Sequence, residues 1–182
     1  MAVKKKRSVG ATAKAVSVYL DAEEIQERKP VLLFTAGQID EVLADIEAQS
    51  LPFAPNYLQG LCAWRNQALP IIDPVRFFGL TSPRKETAGR YIVVRTVSTV
   101  NTPEVLSAET GGNASSAQKI LRCVLKVSDQ IISGEIAEKC DAVVPKQFGF
   151  SSVFVRGLFQ SKGEVFILPD LTSILYAERT KI

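Results

Sequence analysis

The chain has 182 residues, 46% hydrophobic and 23% charged, the balance of a globular protein with one domain or two small subdomains. No apolar run approaches the ~18 residues of a membrane span, the basic start Met1–Arg7 leads into no apolar stretch of a secretory signal, and the net charge is only +3. Histidine is absent, which removes the commonest general base, metal ligand and phosphoacceptor and argues against an enzyme.

In chain order, residues 1–15 read as a disordered basic tail, with Lys4, Lys5, Lys6, Arg7 and Lys14 ahead of any acidic residue. Such a run can meet nucleic acid or anionic lipid. It has no interleaved aromatics for base stacking, and a solvated tail is the expectation. Ala15–Leu20 alternates as a strand, Asp21–Lys29 is a short helix or a loop, and Val31–Phe34 is a buried strand. Residues 38–49 support two readings. Ile39, Val42, Leu43 and Ile46 have helical spacing, which tertiary context can override in favour of an extended segment. Ser50–Pro55 is a proline-punctuated connector.

Tyr57–Asp73 is strand, tight turn, strand, with the turn at Arg65-Asn66-Gln67. Asp73-Pro74 can cap and start a helical turn that stops at Gly79, and Thr81–Gly89 is a polar linker. Tyr91–Val97 is a strand rich in β-branched residues, Ser98–Gln118 an inserted polar loop, and Ile120–Val127 another strand, followed by Gln130–Ile132. Phe148–Val155 leads into a second strand-turn-strand, Phe154–Asp170, and Thr172–Lys181 forms a C-terminal helix.

The two strand-turn-strand segments are copies. Each runs thirteen residues from glycine to aspartate, Gly60 to Asp73 and Gly157 to Asp170, and Gly60-Leu61 matches Gly157-Leu158. Repeated β-units point to an all-β architecture of two small barrels of about five strands each. Gly60 and Gly157 suit a bend or a close backbone approach, and Asp73 and Asp170 suit helix caps. Cys62, Cys123 and Cys140 are scattered and odd in number, which suits free thiols in a reducing compartment and offers no metal-ligand spacing. With no catalytic cluster and no cofactor motif, function falls to surfaces.

The segment Tyr57-Leu-Gln-Gly-Leu-Cys-Ala-Trp-Arg-Asn-Gln-Ala-Leu-Pro-Ile-Ile-Asp73, with Pro169-Asp170-Leu171 in the second copy, resembles the signature of CheW-like domains, over roughly Val31 to Leu175. The resemblance implies two five-stranded SH3-like barrels with short helices, the first about 16–85 and the second about 90–172, and a C-terminal helix at about 172–181. It implies a non-enzymatic, cytoplasmic chemotaxis adaptor. Its partners would be a CheA-type histidine kinase and the cytoplasmic tip of a methyl-accepting chemoreceptor, with no nucleic acid and no membrane insertion. A CheW-like scaffold in a non-chemotactic kinase pathway and a nucleic-acid-binding barrel using the basic tail are the alternatives.

The resemblance also implies partner-binding positions. Arg65 matches an arginine of the surface that meets receptors and kinase, Trp64 stands where the family usually has leucine, Asn66 where it has glycine, and Val42 matches a position near the receptor groove. A solvated charge at Arg65 and core packing at Trp64 and Val42 are the competing readings. Asn66 tolerates positive φ, so the turn survives the exchange. Phe34-Thr-Ala-Gly-Gln-Ile39 is only a remnant of the family's first hairpin, and Ser128 replaces an aspartate of the later signature. These departures mark a divergent member.

Overall fold

A computed structural model describes residues 14–82, 89–100, 117–135, 140–161 and 163–176. In chain order the strands are β1 (Lys14–Tyr19), β2 (Lys29–Thr35), β3 (Ile39–Leu43), β4 (Leu58–Trp64), β5 (Gln67–Ile72), β6 (Arg90–Val100), β7 (Ala117–Val127), β8 (Ile131–Glu135), β9 (Asp141–Ala142), β10 (Val155–Ser161) and β11 (Glu164–Pro169). Two short helices, α1 (Pro74–Phe77) and α2 (Leu171–Tyr176), follow the two hairpins β4-β5 and β10-β11.

The strands form two sheets, in the order β8-β1-β2-β11-β10-β9 and β3-β6-β7-β5-β4. The all-β expectation therefore stands, with six strands in one sheet and five in the other. The division of the chain between them differs from a cut near residue 85. The second sheet takes the middle of the chain, residues 39–127, while the first joins β1 and β2 to the strands that follow residue 130. Val31, Leu32, Leu33 and Phe34 are buried in a continuous run, which needs a partner strand on each side and cover on both faces. β1 supplies one side, and β11, from the far end of the chain, pairs in parallel on the other with Ile167 opposite Leu32. Such a parallel pair needs a long crossover, and the whole second sheet is inserted into it.

The repeat is visible in the hydrogen bonding. Both hairpins carry a bulge at their glycine, between Leu58 and Gly60 and between Val155 and Gly157. The Asp73 N–H donates to Tyr57 O at 2.8 Å, and the Asp170 N–H to Phe154 O at 2.9 Å. Each second strand also makes the parallel pair of its sheet, β5 with β7 and β11 with β2.

The main core lies between the sheets, where Val18, Leu32 and Phe34 of the first meet Ile92, Val94 and Leu125 of the second. The outer face of each sheet buries a smaller cluster, around Val31, Leu33 and Phe166 in one and Trp64, Ile71, Val93 and Val124 in the other.

Both aspartates cap as expected. The buried Asp73 carboxylate accepts the N–H groups of Val75 at 3.0 Å and Arg76 at 3.3 Å, and pairs with the Arg76 guanidinium at 3.4 Å. Asp73→Ala is expected to lower stability by about 2 kcal/mol, as measured by urea denaturation, because it removes a cap and leaves buried donors without partners. At Asp170, burial opposes ionisation. The Ser173 N–H and the Arg156 guanidinium outweigh it and hold the carboxyl below its usual range. Its stabilisation is therefore present above the ordinary carboxyl pKa and lost as pH falls through the lowered one.

Several local expectations change. The choice left open at 38–49 resolves as strand over residues 39–43: β3 pairs antiparallel with β6, with Val42 opposite Ile92, so the open edge of β6 selects the extended reading over the helical spacing. Ser98, Thr99 and Val100 pair with Lys119, Gln118 and Ala117, so the expected loop gives up both ends to strand and keeps 101–116, which lies outside the described residues. Lys14 and Ala15 belong to β1 rather than to a tail, and residues 1–13 lie outside the described residues. Asp21–Arg28 is a turn closed by an Ile25–Arg28 bridge. The C-terminal helix ends its described part at Tyr176, and 177–181 lie outside.

Candidate partner-binding surface

The turn between β4 and β5 is the tip of a two-residue hairpin, with Trp64 paired to Gln67. Arg65 at φ +45° and Asn66 at φ +62° both adopt left-handed backbone, the requirement of a two-residue turn that follows the strand twist. Asn66 fits that corner without glycine. The turn is one residue shorter than the expected Arg65-Asn66-Gln67.

Arg65 projects from this tip with its side chain 65% exposed and forms an ion pair with Glu41 of β3 at 3.1 Å. Its guanidinium carbon lies 4.6 Å from the centroid of the Trp64 ring. The Trp64 indole N–H donates to the same Glu41 Oε2 at 2.8 Å. Trp64 itself is buried, packed in the cluster with Cys62, Leu69 and Ile71. Of its two readings, core packing is the one observed, and the expectation of an exposed tryptophan anchor is corrected: the ring fills the curl of the second sheet, and Arg65 lies over it. β3 and β4 are the outer strands of that sheet, yet Trp64 and Glu41 join them, so the sheet is curled nearly shut by side chains.

Beside this contact lies a group of charges that the sequence reading did not single out. Asp40 accepts from Arg122 Nε at 2.7 Å and pairs with Arg95 at 3.4 Å, and Arg95 Nε also donates to Gly37 O at 2.7 Å. Arg95 and Arg122 stand directly opposite each other on β6 and β7, so two like charges share one carboxylate. Arg122 also lies 5.6 Å from the Trp64 centroid. Adjacent residues of a regular strand point to opposite faces. A bulge at Asp40, between Ile39 and Glu41 in the pairing with β6, lets both carboxylates serve one face. A signal was present: Arg95 and Arg122 each fall two residues from a buried valine, Val93 or Val124, where strand alternation demands the same face.

Val42 is 43% exposed on the edge strand next to Glu41. The structure thus brings Arg65, Trp64 and Asn66 together at one tip, links Arg65 and Trp64 to Glu41, and leaves Val42 exposed on the strand carrying that glutamate.

Among the described residues no group of three His, Cys, Asp or Glu is placed to hold a metal ion. Burial pushes the Cys123 thiol up to about 12, so it is a packing group rather than a nucleophile at neutral pH. Among the described residues no helix is long and apolar enough to cross a membrane. What the surface offers is charge-assisted hydrogen bonding from a half-fixed arginine, with an exposed apolar residue on the strand that carries its partner Glu41.

This fold and surface define a small two-sheet β protein with a charged hairpin tip on its surface. The chain belongs to the CheW-like domain family, whose family model matches residues 16–179. The family is one of non-enzymatic scaffolds of chemotaxis signalling. Among solved structures the chain is similar to the scaffolding protein TtCheW from Thermoanaerobacter tengcongensis, with a TM-score of 0.55 and 18% identity, covering 92% of this chain and 91% of that one. That likeness is one of fold. No curated protein sequence matches the chain.

Proposed function

We propose that this chain is a cytoplasmic chemotaxis adaptor that couples a chemoreceptor's cytoplasmic tip to a CheA-type histidine kinase, without chemistry of its own. The observation that carries this reading is the Arg65–Glu41 pair, held at a rigid hairpin tip over the buried Trp64 ring. Family membership supports the scaffold role, and the side-chain arrangement supports a place for it.

The pair is well exposed, so its own contribution to folding is small, at most about 1 kcal/mol. A partner carboxylate that excludes water from Arg65 would gain far more from it, as buried charge-assisted bonds do. Val42 offers apolar contact on the opposite face of the same edge strand. Trp64 and Asn66 act through Arg65, one by supporting its guanidinium and one by holding the turn. Coupling then follows from a preference for one packed arrangement of receptor and kinase over another.

Arg65→Glu is expected to weaken association with the receptor tip or the kinase regulatory domain by about tenfold or more, with thermal stability within a few degrees of the wild type. Calorimetric titration of both proteins checks this. Equal affinity at matched stability would take Arg65 out of the interface.

A further inference from the structure

The edge of a β-sheet is a row of unpaired N–H and C=O groups, and folded proteins protect it by covering, shortening, bulging or charging the outer strand. Among the described residues the two sheets have four edges, and three are protected. β3 and β4 are joined by the Trp64–Glu41 bond, and β9 is only two residues long. The fourth edge, β8, has no such device. It is five residues long and pairs with β1 alone, without a bulge, from Val18 opposite Ile131 to Lys14 opposite Glu135. Its sequence Ile-Ile-Ser-Gly-Glu holds no proline and no lysine, and Ile132, Ser133 and Gly134 are exposed.

The phase of the hydrogen bonds shows which groups are left over. The Tyr19 N–H donates to Gln130 O, so Tyr19, Ser17 and Ala15 turn their backbone groups toward β8. Ile132 and Gly134, opposite Ser17 and Ala15, turn theirs toward β1. Antiparallel alternation then turns the N–H and C=O of Ile131, Ser133 and Glu135 outward.

The side chains add a preference. On the face of Ile132, Gly134 stands directly opposite Ala15, and a Cβ at Gly134 would meet nothing within 4 Å. Two small residues side by side leave a notch next to Ile132, which is 47% exposed. Residues 128–135 contain two acidic residues, Asp129 and Glu135, and no cation; Lys14 stands opposite Glu135 on the β1 side. A second copy of β8 would bring its own two acidic residues to the same edge. Charge therefore favours a different strand, apolar at the notch and basic at its ends.

We propose that β8 receives an extended segment of a partner protein by antiparallel strand addition, with an apolar residue opposite Gly134 and basic residues opposite Asp129 and Glu135. Backbone bonds supply the affinity, and the notch and the two acidic residues set the register. The site lies on the first sheet, apart from the Arg65 tip on the second.

Amide exchange of the full chain, followed residue by residue by NMR, tests this with the acetylated peptide Lys-Ile-Thr-Thr-Val-Thr-Lys, whose second residue falls opposite Gly134. Exchange at Ile131, Ser133 and Glu135 is expected to slow at least about tenfold at saturation. Ile132 and Gly134, already turned toward β1, are expected to change little. The same peptide N-methylated at its third residue, opposite Ser133, lacks one backbone donor and is expected to bind about tenfold more weakly. Exchanging its lysines for glutamates is expected to weaken it severalfold. Ser133→Pro removes an outward donor of β8 itself. Proline is tolerated on the solvent side of an edge strand, so melting within a few degrees of the wild type is expected, with binding about tenfold weaker. Unchanged exchange at the three outward amides overturns the proposal, as does equal binding by the N-methylated or the glutamate-ended peptide. Protection that appears without peptide and rises with protein concentration overturns it too, and assigns the edge to a second copy.

Discussion

Gly60→Ala is expected to lower stability by about 3 kcal/mol or more, the largest effect of any single methyl group here. Gly60 has φ +140°, a region closed to residues with a Cβ, and an added Cβ would lie 2.3 Å from Gln49 O and 2.9 Å from Gln49 C. Both obstacles are backbone, and the obstructed segment forms the reciprocal bonds between Gln49 and Leu61. No side-chain rotation relieves them. The repeat supplies its own control. Gly157 occupies the matching place in the second hairpin, but its φ is outside the left-handed region and its nearest obstacle is the Phe159 ring at 3.0 Å. That ring can turn, so Gly157→Ala is expected to lose only about 1 kcal/mol. Urea denaturation of both variants measures the difference. Equal losses would mean that the two glycines are kept for the same bend, rather than the first for a close backbone approach.

Asp40→Ala is expected to destabilise by about 2–3 kcal/mol. Its carboxylate is only 12% exposed and is shared by Arg122, itself 20% exposed, and Arg95. Without it the two guanidinium groups face each other across β6 and β7 with their charges unopposed, and the β3 bulge loses the ion pairs that tie it to the sheet. The pair is better judged by a cycle than by one variant. Arg122→Gln in the Asp40→Ala background removes one of the repelling charges and is expected to restore about 1 kcal/mol. Additive losses from the two changes would show that Asp40 is not opposing that repulsion. The double variant also bears on the adaptor reading, because Asp40 and Glu41 are adjacent: a shifted β3 would carry Glu41 away from Arg65 and weaken partner binding with Arg65 unchanged.

What the sequence could tell about this protein is what is local in the chain. The hairpin at Arg65-Asn66, the caps at Asp73 and Asp170, the buried run of β2 and the long β-branched β6 each depend on residues within a few positions of one another. Turn chemistry, capping and alternation are local physics. The repeat was legible for the same reason, since each copy is one hairpin with one bulge and one cap. It also pointed to the family.

The tertiary structure decided what depends on distant partners. Residues 39–43 have a helical pattern but lie on the open edge of β6, and ladder hydrogen bonds outweigh a spacing that either element could use. Trp64 could face a partner or the core from sequence alone; the curl of the second sheet buries it, and Glu41, 23 positions away, takes its N–H. Arg95 and Arg122 become a site only because the ladder sets them side by side and a bulge turns Asp40 toward them. The allotment of strands to sheets was likewise hidden: β2 and β11 meet across the whole inserted second sheet, a pairing favoured by the burial of two apolar strands and encoded in no short stretch of residues.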